Sequence, residues 1–94
     1  VASAGDLTLG SAGNSFSITG TTTINAITTT SWQAGSVIRL IFASTPTVKN
    51  NTAGGASTAK MLLNGGVDFS ATANDVLTLI YDGTNWLECS RSIN

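Results

Sequence analysis

The stretch from Asp75 to Arg91, DVLTLIYDGTNWLECSR, leaves this chain little alternative to a β-hairpin. Val76, Leu77, Leu79, Ile80 and Tyr81 form an apolar run rich in strand formers. Asp82-Gly83-Thr84-Asn85 interrupts it with turn residues, and Trp86, Leu87 and Cys89 resume it. A turn at Gly83-Thr84 sets Tyr81 opposite Trp86, a cross-strand pair of the kind that adds about 0.2–1 kcal/mol over Ala–Ala.

The rest of the chain repeats this texture. Val37 to Ala43, VIRLIFA, reads as the central strand, with Ile38, Leu40 and Phe42 on one face and Val37, Arg39 and Ile41 on the other. Ser15 to Thr19 alternates, placing Phe16 and Ile18 together. Thr22 to Thr28 has the uneven apolar spacing of a bulged strand. Asp6 to Leu9, Thr47-Val48 and Met61 to Leu63 supply short strands. Asn64-Gly65-Gly66 is a turn, and Val67 and Phe69 alternate around Asp68. Pro46 cannot donate to a ladder and belongs at a strand start or edge. Lys49 to Lys60, KNNTAGGASTAK, reads as a polar Gly-rich loop, either a mobile connection or a recognition loop, with Asn50-Asn51 able to make a tight turn. No segment carries a helical period. Short strands with closely spaced turns predict an all-β fold, an antiparallel β-sandwich of jelly-roll type occupying residues 1–94 as one domain.

Composition narrows the function classes. Only 10% of the residues are charged, against ~25% in ordinary soluble domains. Thr, Ser, Asn and Gly supply the polar surface instead. The net charge of −1 offers no basic stripe for phosphates, so nucleic acid is not an expected partner. No apolar run approaches the ~18 residues that span a membrane. The first residue is Val rather than Met, which reads as a piece of a longer protein. Cys89 has no second cysteine to pair with and reads as a small core residue.

The ordered set SFSITGTTTINAI, AGSVIRLIFAS and MLLNGGVDFSATANDVLTLIYDGTNWLECSR, from Phe16 to Arg91, resembles a C-terminal β-module of bacteriophage tail spikes and tail fibres. Its recurring features are an ITG…TTI strand, a G-x-V-x-L-x-F strand, a Gly-Gly turn, a DVLTL strand and a DGTxWxE hairpin. The resemblance implies a trimeric β-sandwich at a virion tail tip, one that holds three chains in register and in some cases contacts cell-surface sugars. A particle-attachment segment and a β-helical repeat are both missing from the sequence, so any activity of a parent protein is expected outside it.

Chemistry-bearing residues are few. There is no histidine, which removes Ser-His-Asp and Cys-His arrangements and His-containing zinc sites. The carboxylates are Asp6, Asp68, Asp75, Asp82 and Glu88. A glycosidase needs two of them about 5–10 Å apart, whereas Asp75 and Asp82 flank opposite ends of one strand. Asp82 to Asn85 lacks the alternating oxygen ligands of a calcium loop. The chain is therefore read as non-catalytic, with no cofactor and no metal.

Aromatic faces suit sugar rings, and the candidate carbohydrate-binding residues are Trp32, Tyr81, Asp82 and Asn85. Trp32, on a turn after TTTS, either contacts a ligand or partner or packs under the loop. Trp86 and Tyr81 read as core or subunit interface as readily as ligand contacts. Val37, Ile41, Val76, Ile80 and Trp86 are the candidate trimer-interface or core residues. Arg39 either faces solvent or pairs across a subunit boundary with Glu88 or Asp68. The expected role is trimerisation and attachment to a host cell-surface polysaccharide at the tail tip. The alternatives are a monomeric carbohydrate-binding module of a secreted polysaccharide-degrading enzyme and, less favoured, a capsid decoration protein.

Overall fold

The computed structural model describes residues 1–57 and 59–94. The part of the 49–60 loop expectation that falls on Thr58 lies outside the described residues. The strands are β1 (Asp6–Leu7), β2 (Ser15–Ile18), β3 (Ala26–Ile27), β4 (Val37–Phe42), β5 (Thr47–Val48), β6 (Met61–Leu62), β7 (Phe69–Ser70), β8 (Val76–Tyr81) and β9 (Trp86–Ser92). Among the described residues there is no α-helix. Asn64–Gly66 makes a single 3-10 turn, with Gly65 at φ 75° and Gly66 at φ 67°, a region glycine enters without steric cost.

A five-stranded sheet in the order β2-β4-β8-β9-β6 forms one layer, and two-stranded pairs β1-β3 and β5-β7 lie beside it. Isolated bridges from Ile24 to Val48 and from Ala26 to Lys60 tie the short pairs to each other and to the segment entering β6. The architecture is all-β with several sheets and is compatible with a sandwich. The expected purely antiparallel pattern is not found. β2 runs parallel to β4, β6 parallel to β9 and β1 parallel to β3. Each parallel pair joins strands distant in sequence, whereas β8 and β9 pair antiparallel through a short connection.

The alternation of β4 and β8 decides the core. Ile38, Leu40, Phe42, Leu77 and Leu79 are fully buried, together with Ile18 of β2. Leu7, Ile27, Val48 and Phe69 close over them from the short strands, Ile24 from the segment before β3, and Trp86 and Met61 join the cluster. Phe16 is only partly buried because β2 lies at the sheet edge. Val67, aligned with Phe69 by alternation, is exposed, because β7 begins only at Phe69, after the Asn64–Gly66 turn.

One irregularity organises β9. Thr78 pairs with Ser90 but Leu79 pairs with Glu88, so Cys89 is an extra, unpaired residue in the ladder. It is exposed, which corrects its reading as a core residue. In a regular strand, residues three apart point to opposite faces. The bulge turns Glu88 and Arg91 to the same face, where Arg91 donates two hydrogen bonds of 2.8 Å to the Glu88 carboxylate. The guanidinium lies 4.4 Å from the Phe69 ring centre, and Glu88 also accepts the Asn64 N–H at 2.9 Å.

The chain itself covers part of each edge of the large sheet, while the outer side of β9 beyond Leu87 has no strand beside it among the described residues. Along β2, Val1 donates to Ser17 at 2.8 Å and Ser3 to Thr19 at 2.7 Å. Along β6, Asn51 donates to Met61 at 2.7 Å and Leu63 donates to the Asn50 side chain at 2.9 Å. A covered edge is a poor template for another strand.

Candidate functional site

Two surfaces concentrate the sequence candidates: the outward face of the five-stranded sheet and a cleft beside the closing hairpin. On the outward face, register aligns Val37 with Ile80 and Ile80 with Leu87, and Leu87 with Leu62 of β6. This makes an apolar row across four strands. A second row pairs Ile41 with Val76. Ile41 is 41% exposed and Leu62 37% exposed, while Val37, Val76, Ile80 and Leu87 are half-buried by their neighbours. Alternation along β4 and β8 places Val37, Ile41, Val76 and Ile80 on this face rather than in the core. Trp86, the fifth residue of that group, belongs to the core and is fully buried.

Arg39 lies between the two rows, beside Ser15 and Thr78. Both of its suggested acidic partners are taken within the chain. Glu88 binds Arg91, and Asp68 binds Lys49 at 3.0 Å. The other carboxylates also hold structure together. Asp75 is buried and accepts from the Thr72 backbone and hydroxyl and from the Asn94 N–H. The Thr72 backbone bond, followed by that from Asn94, lowers its pKa below the ordinary aspartate range. Asp6 receives the Ala56 N–H at 2.8 Å and the Ser57 N–H at 3.4 Å. It thereby pins the loop whose two readings are a mobile connection and a recognition loop. A Cβ on Gly54 would collide with that carboxylate.

The cleft, of about 440 Å³, is walled by Thr28, Thr29 and Thr30 after β3, by Ala56, Ser57 and Ala59, and by Tyr81, Gly83 and Thr84 of the hairpin. Its volume lies within the ~300–1,000 Å³ of typical ligand sites. The Tyr81 ring packs against Trp86 with centroids 5.0 Å apart, and its hydroxyl donates to the Gly83 carbonyl at 3.0 Å. Gly83 sits at φ 100° in the hairpin loop, a conformation glycine adopts without strain.

The remaining sugar candidates are placed differently. The Asp82 carboxylate accepts the Asn85 N–H at 2.7 Å and the Thr84 N–H at 2.8 Å. Those bonds, Asn85 first, hold its pKa below the usual range. Asn85 accepts the Lys60 N–H at 3.2 Å, tying the hairpin to the segment before β6. Both residues therefore shape the cleft without lining it. Trp32 does not line it either. Its ring stands edge-on to Phe16 and to Trp86, with centroids 6.1 Å away in each case. Of the two readings of Trp32, the structure shows packing; the ring is half-buried rather than displayed. Its indole N–H is buried with no hydrogen-bond partner among the described residues.

Sequence reasoning did not single out Thr28 to Thr30 or Ser57 as wall residues. The only signal for them was the TTTS run and the polar composition of the loop. Comparisons with models of protein families, with curated proteins and with solved structures find no match to this chain.

Proposed function

We propose that this chain is a non-catalytic assembly and attachment module of a phage tail spike or fibre. In this reading three copies pack through the outward face of the five-stranded sheet, and each presents its Tyr81 cleft to a cell-surface polysaccharide at the tail tip. The observation that carries the reading is the apolar row Val37, Ile80, Leu87 and Leu62 on the outward face of the five-stranded sheet. Association through that face takes this apolar surface out of water. A cyclic arrangement satisfies three such faces without leaving an open one. Arg39 fits at such a boundary by lying its methylene stem along the apolar rows and keeping its guanidinium at the wet rim.

The carboxylates support the non-catalytic part of the reading. Each is occupied by backbone or ion-pair contacts that hold a turn, a loop or a strand. A monomeric carbohydrate-binding module is the second reading, favoured by a core completed within one chain. Sedimentation of the wild type beside Ile80→Asp and Ile41→Asp tests the assembly face. Both variants are expected to keep the β circular dichroism spectrum and to fall to the mass of one chain. Variants that sediment like an oligomeric wild type would place the interface elsewhere.

A further inference from the structure

We infer that the cleft beside Tyr81 selects a neutral, hydroxyl-bearing ligand, a saccharide ring without carboxylate or sulfate. The inference rests on the attachment reading above and names its ligand class.

The wall residues carry no charge. Thr29, Thr30 and Thr84 line it, and among the described residues their hydroxyls make no side-chain hydrogen bond within the chain. By contrast, the Thr28 hydroxyl donates to Leu7 at 3.4 Å and that of Ser57 to Ile27 at 3.2 Å. Three hydroxyls, each both donor and acceptor, are therefore free to answer ring hydroxyls. The Tyr81 oxygen spends its proton on the Gly83 carbonyl and keeps lone pairs to accept with.

Two carboxylates are tied to the walls. Asp6 grips the Ala56 and Ser57 N–H groups behind one wall. Asp82 grips the Thr84 N–H behind the other. Lys60 follows Ala59 in sequence but does not line the cleft. An anionic sugar would meet walls held by two carboxylates and a lining with no basic side chain, whereas a neutral ring incurs no such repulsion.

Backbone geometry points to the same rim. Ser31 is held at φ 71° in the turn closed by the Trp32 N–H on the Thr29 carbonyl at 3.0 Å. A non-glycine residue in that region is strained, and such strain clusters at functional sites. Thr29 and Thr30, which line the cleft, lead directly into this turn.

The test is amide NMR titration of the folded protein with the methyl glycosides of glucose, galactose and mannose, and separately with galacturonic and N-acetylneuraminic acids. At least one neutral glycoside is expected to shift the amides of Thr29, Thr30, Gly83 and Thr84 more strongly than either acid does. Thr84→Asp, at an exposed loop position, should keep the fold and lose those shifts. Stronger shifts with an acidic sugar at the same amides would overturn the neutral selectivity while leaving attachment standing. Shifts confined to other amides would overturn the cleft as the site. No shift with any of the five sugars would overturn this inference, while the assembly reading is decided separately by the mass of the wild type and its face variants.

Discussion

Glu88 and Arg91 are three residues apart on one strand yet meet on the same face of the sheet, joined by two hydrogen bonds of 2.8 Å. The extra residue Cys89 makes this possible, and the pair seals the core beside Phe69. The Glu88 side chain is 4% exposed and that of Arg91 24%. Glu88→Ala leaves a half-buried guanidinium and the Asn64 N–H without their acceptor. Because water still reaches Arg91, the expected loss is roughly 3 kcal/mol, the lower end of the range for breaking a buried pair. Urea unfolding of the variant checks it.

The two tryptophans should respond unequally. Trp86 is fully buried and donates its indole N–H to Ile27 at 3.3 Å. Trp86→Ala is expected to cost about 3–5 kcal/mol. Trp32→Ala removes two edge-to-face contacts, each typically ~0.5–1.5 kcal/mol, so a loss of about 1–3 kcal/mol is expected rather than a neutral change. Paired denaturant melts decide the order; a Trp32→Ala protein as stable as the wild type would show that the ring does not support the core.

Cys89 is exposed at the bulge. A thiol reagent should therefore label it fully in the native protein, and Cys89→Ser should stay within about 0.5 kcal/mol of the wild type, as surface substitutions usually do. Protection of the thiol until the protein unfolds would contradict the bulge.

The closing hairpin and the inner faces of β4 and β8 were legible because they follow from local alternation and a short turn. Tyr81 does face Trp86 across the strands. Ile38, Leu40, Phe42, Leu77 and Leu79 are buried as their parity requires. The parallel pairings were not legible, because alternation sets a strand's faces and leaves its partner open. Cys89 and the Glu88–Arg91 pair were hidden for a related reason. A bulge shifts the parity of every residue beyond it and leaves no local mark in ECSR. The cleft was half legible: Tyr81 lies in it, but its threonine wall arrives from a distant turn and is placed there by tertiary structure alone.

Acid should weaken the fold through Asp75. Its carboxylate is held below the ordinary pKa by the Thr72 and Asn94 bonds. A depressed folded-state pKa contributes stability that is present above the unfolded value, near ~3.9, and is lost as pH falls through the folded one. Asp68, Asp82 and Glu88 are shifted in the same direction. Melting temperature is expected to be flat at neutral pH and to fall below about pH 4. Asp75→Asn should be less stable at neutral pH and show a shallower acid decline.

The central claim is that the outward face of the five-stranded sheet joins three copies of this chain. Light scattering on the wild-type protein across a dilution series tests it most directly. The expected result is the mass of three chains, each 9.5 kDa, persisting into the micromolar range. A mass of one chain throughout that series would contradict it and leave the monomeric carbohydrate-binding reading in its place.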